Sequence, residues 1–190
     1  GISVNTDVYK GDINTAALIF DTPEELKGKV NVVPEMRDVM GLAIYYLGGT
    51  DLCTDDKELL IKVRDLLVDA KQDWISMDYG TLEQMINGDY GATMDWNGPA
   101  MRERLQNPAV KYGYPVTGYP TWMDNATILA AAQNVDNAKL FMNFMMDPEN
   151  AAILSSFTRY AYGVAGSAAF MDKEMLEAPE IKVPAEFADK

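Results

Sequence analysis

Histidine is absent from the 190 residues. That removes Ser-His and Cys-His nucleophile pairs, histidine zinc sites and the commonest general base. Chemistry run by Asp and Glu alone survives, as does a carboxylate metal site. Cys53 is the single cysteine, so no intrachain disulfide can form, which leaves the compartment open. No apolar run approaches the ~20 residues of a membrane span, and Leu42 to Leu47 falls far short. No signal peptide is visible, and the chain begins at Gly1 rather than Met, as a processed or cut product would. GxGxxG, P-loop, GxSxG, EF-hand and CxxC patterns are all missing. Asp51, Asp55 and Asp56 lack the loop glycine and closing glutamate that calcium needs. Arg102, Arg104 and Lys111 are scattered, without the aromatic interleaving of an RNA-binding surface. A non-catalytic protein is expected, with no cofactor, no metal and no nucleic-acid partner.

Acid is what the chain has in excess. Asp and Glu number 29 against 16 Lys and Arg, a formal net charge of −13. That balance disfavours nucleic acid and anionic membranes and favours cationic ligands, although solubility alone accounts for it equally well. Apolar residues make up 48%, enough for a real core. The length suits one domain, or one domain and a piece of another.

Strand and helix signals alternate through the first two thirds. Gly1 to Asn5, Lys29 to Val33, Trp74 to Met77, Ala92 to Trp96 and Val110 to Tyr114 read as strands. Helices are expected from Pro34 to about Tyr46, after a capping box of Asp55 and Glu58, between Thr81 and Gly88, and over Pro99 to Leu105. This alternation predicts an α/β domain with a largely parallel sheet. Beyond Pro120 a strand is expected over Trp122 to Leu129, then helices over Val135 to Met146 and Pro148 to Phe157, and a short helix near Lys173.

Several acids and aromatics fall where ligands bind. Glu35 and Asp38, three apart, share one face of a helix that follows a strand. Acids there also suit the positive end of the helix dipole. Trp96 closes a strand before the turn Asn97-Gly98-Pro99, although a core tryptophan fits the position too. Trp122 and Asp124, two apart on the expected strand, would leave one sheet face together. An indole beside a carboxylate suits an amine, the carboxylate taking the charge and the ring face the cation, unless a lysine or arginine of the protein takes that place. Tyr160 and Tyr162, at a helix exit, suit either stacking on a ligand or closing a core.

Taken in order, these segments resemble the periplasmic spermidine/putrescine-binding proteins of bacterial ABC importers. The likeness is carried by Gly1-Ile2-Ser3-Val4-Asn5, Lys27-Gly28-Lys29-Val30, Glu35-Met36-Arg37-Asp38-Val39, Trp96-Asn97-Gly98, Trp122-Met123-Asp124, the stretch from Asn137-Ala138-Lys139 to Asn150, and Arg159-Tyr160-Ala161. It implies a type II-like periplasmic solute-binding fold, a polyamine ligand and a membrane permease as partner. It also implies that Glu35, Asp38, Trp96, Trp122, Asp124 and Tyr160 hold the ligand. Two departures stand out: the acidic pair reads Glu then Asp rather than Asp then Glu, and Pro99 stands where some putrescine-type members carry Asp.

By the same resemblance, residues 1–120 would form the second ligand-binding lobe. Residues 121–163 would be a crossover belonging to the first lobe, and 164–190 a return to the second. The opening section of the first lobe would then be missing, to be supplied by that segment or by a second copy through domain exchange. A periplasmic location follows. Another small cationic ligand, a hydrolase using Glu35 with Asp38 or Asp124, and a plain interaction module are the competing readings.

Overall fold

Asp56, Asp147 and Asp172 each cap a helix through the side chain, and the apolar pattern decides which face an element buries. The computed structural model describes residues 1–188. It divides into a sheet unit, Gly1–Pro120 with the closing residues from Val183, and a helical unit, Thr121–Lys182.

The sheet unit contains five strands: β1 (Ile2–Asn5), β2 (Val30–Val32), β3 (Trp74–Ser76), β4 (Ala92–Met94) and β5 (Val110–Gly113). Their spatial order is β3-β2-β4-β1-β5. Strand β2 pairs parallel with β3 and β4, whereas β1 lies antiparallel to both β4 and β5. Four strands therefore run one way and β1 alone is reversed, so the expected largely parallel sheet has two antiparallel ladders. The cause is local: β1 enters between β4 and β5, and its hydrophobic pattern carries no information on direction.

Strands β1, β2 and β4 are buried along their whole length, as strands covered on both faces must be. The buried amides of Asn31 and Asn5 are paired. Asn31 Nδ2 donates to Asp78 O and Thr93 Oγ1, and its Oδ1 accepts from Ser76 Oγ and the Asp78 N–H. Asn5 Nδ2 donates to Met85 O. Around the sheet pack α1 (Ala17–Phe20), α2 (Met36–Tyr46), α3 (Lys57–Ala70), α4 (Leu82–Asn87) and α5 (Asn97–Gln106). The core gathers Ile2, Val4, Leu18, Ile19, Leu26, Val30, Leu42, Ala43, Ile44 and Val63. Helix α3 is capped by Asp56, which accepts from the Glu58 and Leu59 N–H groups, one residue later than the expected cap at Asp55. Helix α4 ends on Gly88 at φ 81°, a left-handed turn that glycine adopts without a Cβ penalty.

The helical unit is built from α6 (Val135–Met145), α7 (Pro148–Thr158) and α8 (Lys173–Glu177). Asp147 caps α7 through the Glu149 and Asn150 N–H groups, with Pro148 at the first helical position. No strand forms over Trp122 to Leu129: the segment is irregular, and residues 121–127 are exposed. The pattern suits a strand, but a strand needs a ladder, and among the described residues this unit has none to offer. Residues 164–182 group with the helical unit and those from Val183 with the sheet unit.

Candidate functional site

In the sheet unit the loops that follow β2, β3 and β4 leave adjacent strands at the same sheet edge, the carboxyl end where open α/β sheets bind ligands. Glu35 follows β2 and occupies the N-cap position of α2, with its backbone carbonyl accepting from the Val39 N–H. Its side chain makes no capping bond, and Asp38 lies in the first turn. Trp96 follows β4 as the N-cap of α5. Its indole Nε1 donates to Asp38 Oδ2 at 3.1 Å. The structure thus joins two residues 58 positions apart in the chain that were expected separately at strand ends. Both acids suit the helix dipole as well, yet neither side chain is spent on the helix end.

A fourth residue completes this group. Tyr79, after β3, donates its hydroxyl to Glu35 Oε1 at 2.7 Å. Its ring lies nearly parallel to Trp96, with centroids 6.2 Å apart and planes 12° from parallel. The bond to Glu35 holds the Tyr79 phenol above its ordinary pKa. Sequence reading missed Tyr79. Its one signal was its place, two residues past the expected strand Trp74 to Met77.

Beneath Trp96 is a buried pair of carboxyl groups, Asp95 and Glu103. Asp95 Oδ1 accepts the Trp96 N–H at 2.7 Å. The Thr81 hydroxyl lies 3.1 Å from Glu103 Oε1 and 3.5 Å from Asp95 Oδ2. Burial, with the Glu103 charge added, pushes Asp95 well above the usual carboxylate range. Burial likewise raises Glu103, with the Thr81 hydroxyl among the groups that oppose it. For both acids burial favours the protonated form.

The helical unit carries the remaining expected residues. Trp122 and Tyr160 meet edge to face, centroids 6.2 Å apart and planes at 79°. Trp122 is 48% exposed. Asp124 is exposed on the irregular segment, so no desolvation cost arises, and the sheet face that it and Trp122 were expected to share does not form. Each unit therefore presents carboxylate oxygen and aromatic face. That combination suits an organic cation: the ring quadrupole attracts the charge and the carboxylate pairs with it. Among the described residues no group of three or more acids or Cys could hold a metal ion.

Residues 2–183 match the family of bacterial extracellular solute-binding proteins, and the chain belongs to that family. Its fold is the type II periplasmic solute-binding fold. Among relatives, the chain is 25% identical over 182 residues to spermidine/putrescine-binding periplasmic protein 1 of Haemophilus influenzae, covering 95% of this chain and 50% of that protein. It is 27% identical to the spermidine/putrescine-binding periplasmic protein of Escherichia coli K12, over 67% of this chain and 36% of that one. A solved Listeria monocytogenes protein, described as a candidate spermidine/putrescine ABC transporter, superposes with a TM-score of 0.88 at 28% identity. The match covers 98% of this chain and 57% of that protein. The chain spans about half the length of the curated relatives it matches. These relatives are named for binding and for periplasmic residence, not for catalysis.

Proposed function

We propose that the chain is part of a polyamine-binding protein of an ABC importer, resident in the periplasm and delivering spermidine or putrescine to a membrane permease. The observation that carries the reading is the joined group of Glu35, Asp38, Tyr79 and Trp96 at the carboxyl ends of three adjacent strands. Tyr79 and Trp96 each occupy one oxygen of an acid, which leaves the other oxygen of each carboxylate for a ligand ammonium. Trp122, Tyr160 and Asp124 supply a second aromatic and acidic set for another ammonium of the same ligand class. The relatives' names support the ligand, and the absence of histidine agrees with binding rather than catalysis.

Residues 1–120 are proposed to be the second lobe of such a receptor, and 121–163 a segment of the first. Its working partner is either further chain, of the kind that makes up the other half of the relatives, or a second copy. On this reading the 190 residues bind polyamines weakly. A micromolar site is worth about −8 kcal/mol, and part of a clamp loses several of those. Calorimetric titration with putrescine and spermidine should show weak, saturable binding that Glu35→Gln, Asp38→Asn, Trp122→Ala and Asp124→Asn each reduce. Tight binding by the 190-residue chain would overturn the incompleteness. Binding indifferent to all four substitutions would overturn the site.

A further inference from the structure

The resemblance assigns no role to Tyr79, yet more bonds converge on it and its loop than on any of the expected ligand residues. The loop is pinned from below. Asn31, buried in β2, donates to Asp78 O at 3.0 Å and accepts the Asp78 N–H at 3.0 Å. The Asp78 carboxylate in turn accepts the N–H groups of Tyr79 at 2.7 Å and Gly80 at 3.3 Å. Asn31 is itself held by Thr93 and Ser76, and Ser76 Oγ in turn accepts from the Tyr90 hydroxyl. The Tyr79 backbone therefore stands on a hydrogen-bonded floor reaching across three neighbouring strands. Its side chain remains 55% exposed, a large aromatic held out at the strand ends rather than buried. From there its hydroxyl fixes Glu35 and its ring lies along Trp96, whose indole fixes Asp38.

We infer that Tyr79 is a positioning residue of the cation site: it orders the Glu35 carboxylate before the ligand arrives and extends the Trp96 ring into a continuous aromatic wall. The inference rests on the polyamine reading above and goes beyond it by naming the group that orients one of its acids. A free glutamate on a helix N-cap samples several rotamers, and freezing it on binding weakens affinity. With Oε1 already bonded, that ordering is complete in the unliganded protein, and the remaining oxygen is left for one ammonium. The aromatic wall suits the methylene stem of a linear diamine, which has no polar group to satisfy between its charges.

The test is calorimetry of the 190-residue chain with putrescine, using Tyr79→Phe, Tyr79→Ala, Glu35→Gln and the Tyr79→Phe/Glu35→Gln double variant. Tyr79→Phe keeps the ring and is expected to weaken binding roughly threefold to tenfold, with unchanged thermal melting. Tyr79→Ala, which also removes the wall, should weaken it further. If Tyr79 acts through Glu35, its loss adds nothing once Glu35 is Gln, so the double variant should match Glu35→Gln alone. Wild-type affinity in Tyr79→Phe beside a clear loss in Glu35→Gln would overturn this inference and leave the functional reading standing. Additive losses in the double variant would overturn it too. Absence of any putrescine binding, or no effect of Glu35→Gln, would overturn the functional reading along with it.

Discussion

Asp95 stands one residue before Trp96 and shares its burial with Glu103, so the site rests on two acids that resist losing their protons. Their folded pKa values are raised above the ordinary ones, Asp95 by burial and then by the Glu103 charge, Glu103 by burial. A carboxyl of this kind binds its proton more tightly folded than unfolded. The stabilisation is complete below the unfolded pKa and is lost as pH climbs through the folded one. The informative quantity is a difference between two proteins at each pH. Asp95→Asn keeps an oxygen for the Trp96 N–H and offers a permanent N–H to Glu103. It should gain stability over the wild type as pH rises from acid to neutral, by about 1–2 kcal/mol at the upper end, as read by urea melts. A difference that does not grow with pH would contradict the raised Asp95 pKa. At this scale the acids Glu35 and Asp38 and the ring of Trp96 were legible, because position after a strand is a signal that sequence carries. Tyr79 was not, because its role depends on β3 lying next to β2, and that adjacency exists only once the sheet is assembled.

Among the elements, helices were read to within a residue or two wherever a cap and an apolar stripe agreed. The α7 start at Asp147-Pro148 and the α4 stop at Gly88 are examples. Asp55 and Asp56 compete for one cap, and only the backbone geometry selects Asp56. Trp122 to Leu129 shows the opposite failure, a strand-like pattern without a ladder in its own unit. The helix α6 raises a related question, since none of its residues is buried. Leu140, Phe141 and Phe144 on α6 and Ile153, Leu154 and Phe157 on α7 are exposed, Phe157 to 82%. Such a face on a surface is characteristic of an interface that lacks its other side. Light scattering across a range of protein concentrations should show association that rises with concentration and falls when Phe141 and Phe157 are changed to Ser. A compact monomer at every concentration would count against a partner for this face.

For the whole molecule, the sequence changes texture after Pro120, and one compact unit ends at that residue. A Pro-punctuated tail with short helices has no pattern of its own that tells which unit it belongs to. The family follows from residues 2–183, while the chain's share of its curated relatives is about half. What the sheet unit keeps intact is the acid–aromatic group, and the helical unit keeps Trp122 beside Tyr160. Three tryptophans make this directly observable. The Trp74 indole donates to Ile19 O at 2.9 Å and packs against the core, away from the acids, and so reports on folding alone. The decisive measurement is an NMR titration of the three indole N–H signals with putrescine. The Trp96 and Trp122 signals are expected to move saturably while Trp74 stays still, and Asp38→Asn should abolish the response at Trp96. Shifts equal at all three, or reproduced by sodium chloride of the same ionic strength, would contradict polyamine binding at these sites.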